Sequence, residues 1–208
     1  MNLYPLFASN VIQTTFDDER SISILEKVYK DYELNDPGQD GAGGTLVSKD
    51  IFVLNDHSRV KRSLLKKFEE INQNILKLPV DFSLTTSWFT KSNKNSFSQF
   101  HSHKNSFYSG VLYFGKYSKD GKQAPIQFKS PIEDLNSFHV LSSEWNIHNS
   151  LVWDVYPEQN MLIFFPSYLK HRIGKHLDDS PRYSLAFNIV PVGSYGSGDS
   201  IYSTNWFK

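Results

Sequence analysis

Three histidines carry the clearest chemistry in this sequence. His101 and His103 stand in FHSHKNSFYSGVLYF, Phe100 to Phe114, and His171 stands in FFPSYLKHRI, Phe164 to Ile173. Residues i and i+2 of an extended segment point to the same side, so His101 and His103 can offer two imidazoles to one ligand. His171, from a distant segment, supplies a third. Imidazole nitrogens suit iron, zinc, nickel and copper. The same residues also fit a metal-free reading, in which His101 and His103 are polar turn residues and His171 is buried and satisfied by backbone. His57, His139, His148 and His176 lack a comparable setting and read as structural or exposed.

Other chemistries find little support. The chain has no cysteine, which removes disulfides, thiolate metal sites and cysteine nucleophiles. No G-x-S-x-G elbow, H-E-x-x-H motif or identifiable carboxylate pair occurs. The glycine-rich segment from Asn35 to Gly44 lacks the Lys-Ser/Thr ending of a phosphate loop and reads as a connector. Lysine plus arginine total 22 and aspartate plus glutamate total 22, so net charge favours neither nucleic acid nor an anionic membrane. No stretch reaches membrane-spanning length, and Met1 to Phe16 has neither a basic start nor a long apolar run. A cytoplasmic placement is expected.

These histidines need strands to hold them. From Phe82 onward, short apolar segments alternate with turns: Leu84 to Phe89, Phe107 to Phe114, Ala124 to Phe128, Leu151 to Tyr156, Met161 to Phe165 and Tyr183 to Pro191. Prolines 125, 131, 157, 166, 181 and 191 punctuate them. Aromatics make up 15% of the chain, which suits packed strands. Two short apolar segments, Leu3 to Phe7 and Val11 to Phe16, read as a peripheral strand and its turn. A helix is expected over about 18–33 and another from Arg59 to about Leu76, the latter capped by Ser58. The basic residues of the second helix, Arg59, Lys61, Arg62, Lys66 and Lys67, read as a solvated face, since no aromatic stacking platform accompanies them. Trp88 and Trp153 read as core or pocket walls. The expected architecture is one mainly-β domain over 1–208: an N-terminal helical flank over 1–80, a double-stranded β-helix (cupin-like jelly roll) over 81–192, and a tail or flap over 193–208.

Four pieces of sequence together resemble the 2-oxoglutarate and iron(II)-dependent oxygenase superfamily, in a bacterial and phage branch similar to prolyl hydroxylases. They are TSW at Thr86 to Trp88, the run from His101 to Tyr113, IFFPSYLKH from Ile163 to His171, and RYSLAFN from Arg182 to Asn188. The resemblance implies iron(II) held by His101, His103 and His171, with dioxygen and the cosubstrate 2-oxoglutarate. His103 stands where the family pattern has aspartate or glutamate; Asp154 is a weak substitute carboxylate. Arg182 looks like the residue that binds the far carboxylate of 2-oxoglutarate, with Ser184 beside it. Tyr113 and Tyr108 are both candidates for further cosubstrate contacts, and Asn188 lines the cavity or supports a ligand.

The implied reaction couples oxidative decarboxylation of 2-oxoglutarate to hydroxylation of a small-molecule or protein substrate. A phage-encoded chain of this kind would work in the host cytoplasm, and homo-oligomerisation through the helices or tail is left open. The alternatives are a cupin-like metalloprotein with another metal or reaction, and a noncatalytic jelly-roll binding protein. Asn160 occupies a turn where relatives tend to have glycine, and asparagine tolerates the same left-handed backbone.

Overall fold

The structure is a computed structural model that describes residues 2, 8–38, 43–118, 120–132 and 142–204. Among these, the chain forms β1 (Ile12–Thr15), α1 (Glu19–Val28), β2 (Leu34–Asn35), β3 (Leu46–Ser48), α2 (Ser58–Ile71), β4 (Asp81–Ser92), β5 (Tyr108–Leu112), β6 (Ile126–Lys129), β7 (Val152–Val155), β8 (Met161–Pro166), β9 (His171–Ile173), β10 (Arg182–Val192), β11 (Ser194–Tyr195) and β12 (Tyr202–Ser203). The expected strand over Leu3 to Phe7, His139, residues 39–42 of the connector, and the tail aromatics Trp206 and Phe207 lie outside the described residues.

Both expected helices form, each shorter than its apolar spacing suggested. Asp18 caps α1 by accepting a hydrogen bond from the Ser21 amide, and α1 passes into a 3-10 turn at Tyr29–Asp31. Helix α2 buries Val60, Leu64, Phe68 and Ile71, the i, i+4 face that its sequence predicts. Ser58 is the first residue of α2 rather than its cap, and the preceding His57 makes no side-chain cap bond. The helix widens into a π turn over Asn72–Leu76 and stops at Lys77, whose φ is 54°.

Seven strands form one antiparallel sheet in the order β1-β8-β5-β10-β4-β3-β2. Three more form a separate sheet, β7-β6-β9, and β11 pairs with β12 as a hairpin. The double-stranded β-helix expected from the sequence is therefore corrected. Among the described residues, both main sheets are open and end in edge strands: β1 and β2 in one, β7 and β9 in the other. Strands β6, β7 and β9 are only three or four residues long. Pro125 directly precedes β6 and has no amide hydrogen to extend its ladder. The first 80 residues supply three strands, β1 to β3, as well as the helices.

Alternation along β5 and β10 divides the core. Tyr108, Leu112, Leu185, Phe187 and Ile189 face the helices in one apolar cluster with Leu64 and Phe68. Val111, Tyr113 and Ala186 face the other way, into a second cluster with Ile126, Phe128 and Phe165, which fills the space between the two sheets. Gly110 lets β5 pass close to its neighbour: a Cβ there would lie 2.3 Å from the Phe187 ring. No helix among the described residues is long and apolar enough to cross a membrane.

Candidate metal centre and anion pocket

His101 and His171 come together through the backbone. Each donates its amide to the other's carbonyl, at 3.0 and 2.9 Å, which forms a bridge beside β9. The His103 amide donates to the Ser167 carbonyl at 3.0 Å, so the turn that follows Pro166 at the end of β8 fixes the second histidine. The three rings then converge, with centroids 4.5 to 5.1 Å apart, and one ligand nitrogen from each lies within 4.8 Å of the others.

The orientation of two of these rings is set from behind. Nδ1 of His101 meets the Gln99 carbonyl at 2.9 Å, and Nδ1 of His171 meets the Leu169 carbonyl at 2.8 Å. A carbonyl only accepts, so Nδ1 carries the proton and Nε2 keeps its lone pair for a metal. His171 is 6% exposed. Burial, with His101 nearby, pulls its pKa down to about 3, and the same two causes bring His103 down to about 4. Both rings are therefore neutral at ordinary pH, as metal ligation requires. No carboxylate joins the cluster among the described residues. Asp154 instead sits on β7, where it accepts a hydrogen bond from Gln127 at 2.8 Å.

Arg182 opens β10 and is 1% exposed. One Nη donates to the Tyr113 hydroxyl at 3.0 Å, while Nε and the other Nη are buried without a partner. Its guanidinium carbon lies 4.8 Å from the centre of the Tyr113 ring. Because arginine only donates, the Tyr113 hydroxyl accepts, and its own hydrogen is left to donate. Burial raises the Tyr113 pKa against the pull of Arg182, which keeps that hydrogen in place. Unsatisfied donors in a dry interior are costly, and an oxyanion is the group that satisfies them. Ser184, two residues along the same face, shares a hydrogen bond of 2.6 Å with Thr90.

Not every candidate reaches this face. Tyr108 lies on the opposite side of β5, packed against Phe68 with ring centroids 5.2 Å apart. Asn188 bonds Ser109 and Thr86, at 2.8 and 2.9 Å, and lines a groove of about 420 Å3 beside His103. Trp88 forms another wall of that groove, with its ring 5.3 Å from the His103 ring. Trp153 is 42% exposed, so it is neither core nor groove wall. His176 is buried and bonds both the Ala124 amide and the Ser180 carbonyl, a structural role. Pro37, Val47 and Ile51 also line the groove. Nothing in their local sequence marks them; pairing of β3 with β4 brings Val47 there, and the Ser87 amide of β4 holds the Ile51 carbonyl.

Arg182 and the histidines are linked through the inter-sheet apolar cluster, which Arg182 meets by its bond to Tyr113. The His171 ring packs on Phe165 at 4.6 Å, and Phe165 shares the inter-sheet cluster with Tyr113. Three convergent imidazoles fit a divalent metal, and the orphaned donors of Arg182 fit a carboxylate.

Over residues 86–188 the sequence matches the family described as "Putative 2OG-Fe(II) oxygenase". The chain belongs to the 2-oxoglutarate and iron(II)-dependent oxygenase superfamily. No curated protein matches it. Its fold is similar to that of a Pseudomonas putida prolyl-4-hydroxylase, with TM-score 0.60 and 16% identity over 88% of this chain and 95% of that one. HygX from Streptomyces hygroscopicus, solved with nickel and 2-oxoglutarate, gives 0.60 and 10% over 88% and 83% of the two chains. The viral collagen prolyl hydroxylase of Paramecium Bursaria Chlorella virus-1 gives 0.57 and 11% over 86% and 94%.

Proposed function

We propose that this member of the superfamily is a non-haem iron(II) dioxygenase that hydroxylates a substrate held in the groove beside His103 and Trp88. The observation that carries the reading is Arg182: a buried guanidinium with two unpartnered nitrogens, in a chain that also brings three histidines into one cluster. When bound, iron(II) and 2-oxoglutarate supply oxidative decarboxylation to succinate and carbon dioxide and the oxidising power for hydroxylation.

The remaining work belongs to the chain. His101, His103 and His171 would hold the metal through one ring nitrogen each. Arg182 and the Tyr113 hydroxyl bind the far carboxylate of the cosubstrate, with Ser184 as a further donor. The apolar residues around them, Phe128, Phe165 and Ala186, keep water out. Asn188 and Trp88 orient the substrate. With histidine in place of a carboxylate at 103, this ligand set would bring no negative charge to the metal.

Anaerobic titration with iron(II) and 2-oxoglutarate, followed by admission of oxygen and succinate measurement, tests the assignment. Succinate formation that disappears in Arg182→Ala and His171→Ala is the expected result. A folded wild-type protein that binds neither iron nor 2-oxoglutarate would overturn it.

A further inference from the structure

Tyr117 lies beyond the end of β5, outside the sequence motifs. Strands β5 and β10 pair only from Tyr108↔Ile189 to Leu112↔Leu185. Tyr113 therefore sits one residue, and Arg182 three residues, past the last rung of their shared ladder. Each is secured on its far side: the Tyr113 amide donates to Met161, and Arg182 pairs with Ser92 of β4. Between them the main-chain ladder has stopped.

Tyr117 bridges that gap. Its hydroxyl donates to the carbonyl of Tyr183, the residue after Arg182. It also accepts from the amide of Gly115, two residues after Tyr113, at 3.2 Å. Both directions are unambiguous, because a carbonyl only accepts and an amide only donates. The Tyr117 ring also stands edge-on to the Tyr113 ring, at 5.7 Å and 90°. Burial raises the Tyr117 pKa, so the hydroxyl keeps the proton that it donates.

We infer that Tyr117 is a positioning residue for the anion pocket: one hydroxyl replaces the missing rung and holds Arg182 and Tyr113 at a separation that a single carboxylate can span. This deepens the cosubstrate reading and rests on it. Tyr117 does not touch the carboxylate; it acts through the backbone on either side. Losing the hydroxyl lets the ends of the two strands drift apart, and pre-organised donors lose affinity when their spacing is no longer held.

The test uses the full chain loaded with nickel(II), which binds without turnover. Calorimetric titration with 2-oxoglutarate compares the wild type, Tyr117→Phe and Arg182→Gln, with nickel affinity and thermal midpoint measured for each. Phenylalanine keeps the ring and its packing. Tyr117→Phe is expected to weaken 2-oxoglutarate about tenfold and to lower the midpoint by a few degrees, while nickel affinity stays at its wild-type value. Wild-type 2-oxoglutarate affinity in Tyr117→Phe overturns the inference. So does a variant that loses nickel affinity and thermal stability in step with 2-oxoglutarate, since that marks a general structural role. If Arg182→Gln also binds 2-oxoglutarate normally, the cosubstrate reading fails and the inference falls with it; loss in Arg182→Gln alone leaves that reading standing and removes only Tyr117.

Discussion

Arg182 is a cation in the protein interior with a single hydrogen bond and no ion pair among the described residues. Such a group costs stability until an anion arrives. Arg182→Met, which keeps the length and removes the donors, is expected to stabilise the ligand-free protein by ~1–3 kcal/mol in denaturant titrations. The same variant should lose the thermal shift that 2-oxoglutarate gives the wild type. At position 103, alanine should weaken nickel binding by more than the ~10–100-fold typical of losing a supporting group, while aspartate should restore it; titration with the metal alone reads both. The histidines and Arg182 were legible because their types are rare and their motifs compact. The choice between Tyr108 and Tyr113 was not. It depends on which face of β5 looks into the inter-sheet space, and that is set by register with β10, where Val111 lies opposite Ala186. Tyr117 carried no signal at all, since its bond to Tyr183 joins residues 66 apart in the chain.

Helices α1 and α2 meet at Asp18. This residue caps α1, accepts from the Ser63 hydroxyl of α2 and pairs with Arg59 at 2.9 Å. Burial raises its pKa, but hydrogen bonds from Ser63, Ser21 and Arg59 outweigh that and hold the carboxyl well below its ordinary 3.8. A group with a depressed folded-state pKa contributes stability above its unfolded value and loses it as the pH falls through the folded value. Asp18→Ala should therefore cost ~1–3 kcal/mol at pH 7, and the gap from wild type should narrow steadily below about pH 4. Denaturant titrations at pH 7 and pH 3 check both halves; an equal gap at the two would refute the assignment. The apolar faces of both helices were readable from residue spacing. Strand β9 was not, because its three residues show no alternation long enough to register and pairing with β6 defines them.

The whole molecule rests on two apolar layers, and Phe68 anchors the outer one. It is 0% exposed and touches Phe82, Tyr108 and Phe164, rings from three strands of the large sheet. Phe68→Ala should cost ~3–5 kcal/mol. The fraction that stays folded should still bind 2-oxoglutarate with wild-type affinity, because the anion pocket lies on the other side of the sheet; calorimetry below the unfolding midpoint separates the two effects. At this scale the sequence reading was right about a mainly-β protein with helices at its N-terminal end. It was wrong about closure. Alternation and prolines mark where strands begin and end, but whether two sheets join depends on edge pairings between distant segments. Here, among the described residues, no ladder joins the sheet of β6, β7 and β9 to the larger one.

The uncompensated charge at Arg182 also bears on how long the protein survives digestion. The start of β10 is held on its Tyr113 side by two side-chain hydrogen bonds and an unfinished ladder, so a protease should cut there more readily while the pocket is empty. A bound dicarboxylate acts as the missing internal counter-ion and closes that opening. Limited digestion with and without 2-oxoglutarate should then show slower cleavage near Arg182 in the loaded protein, in the absence of oxygen and before any product has formed.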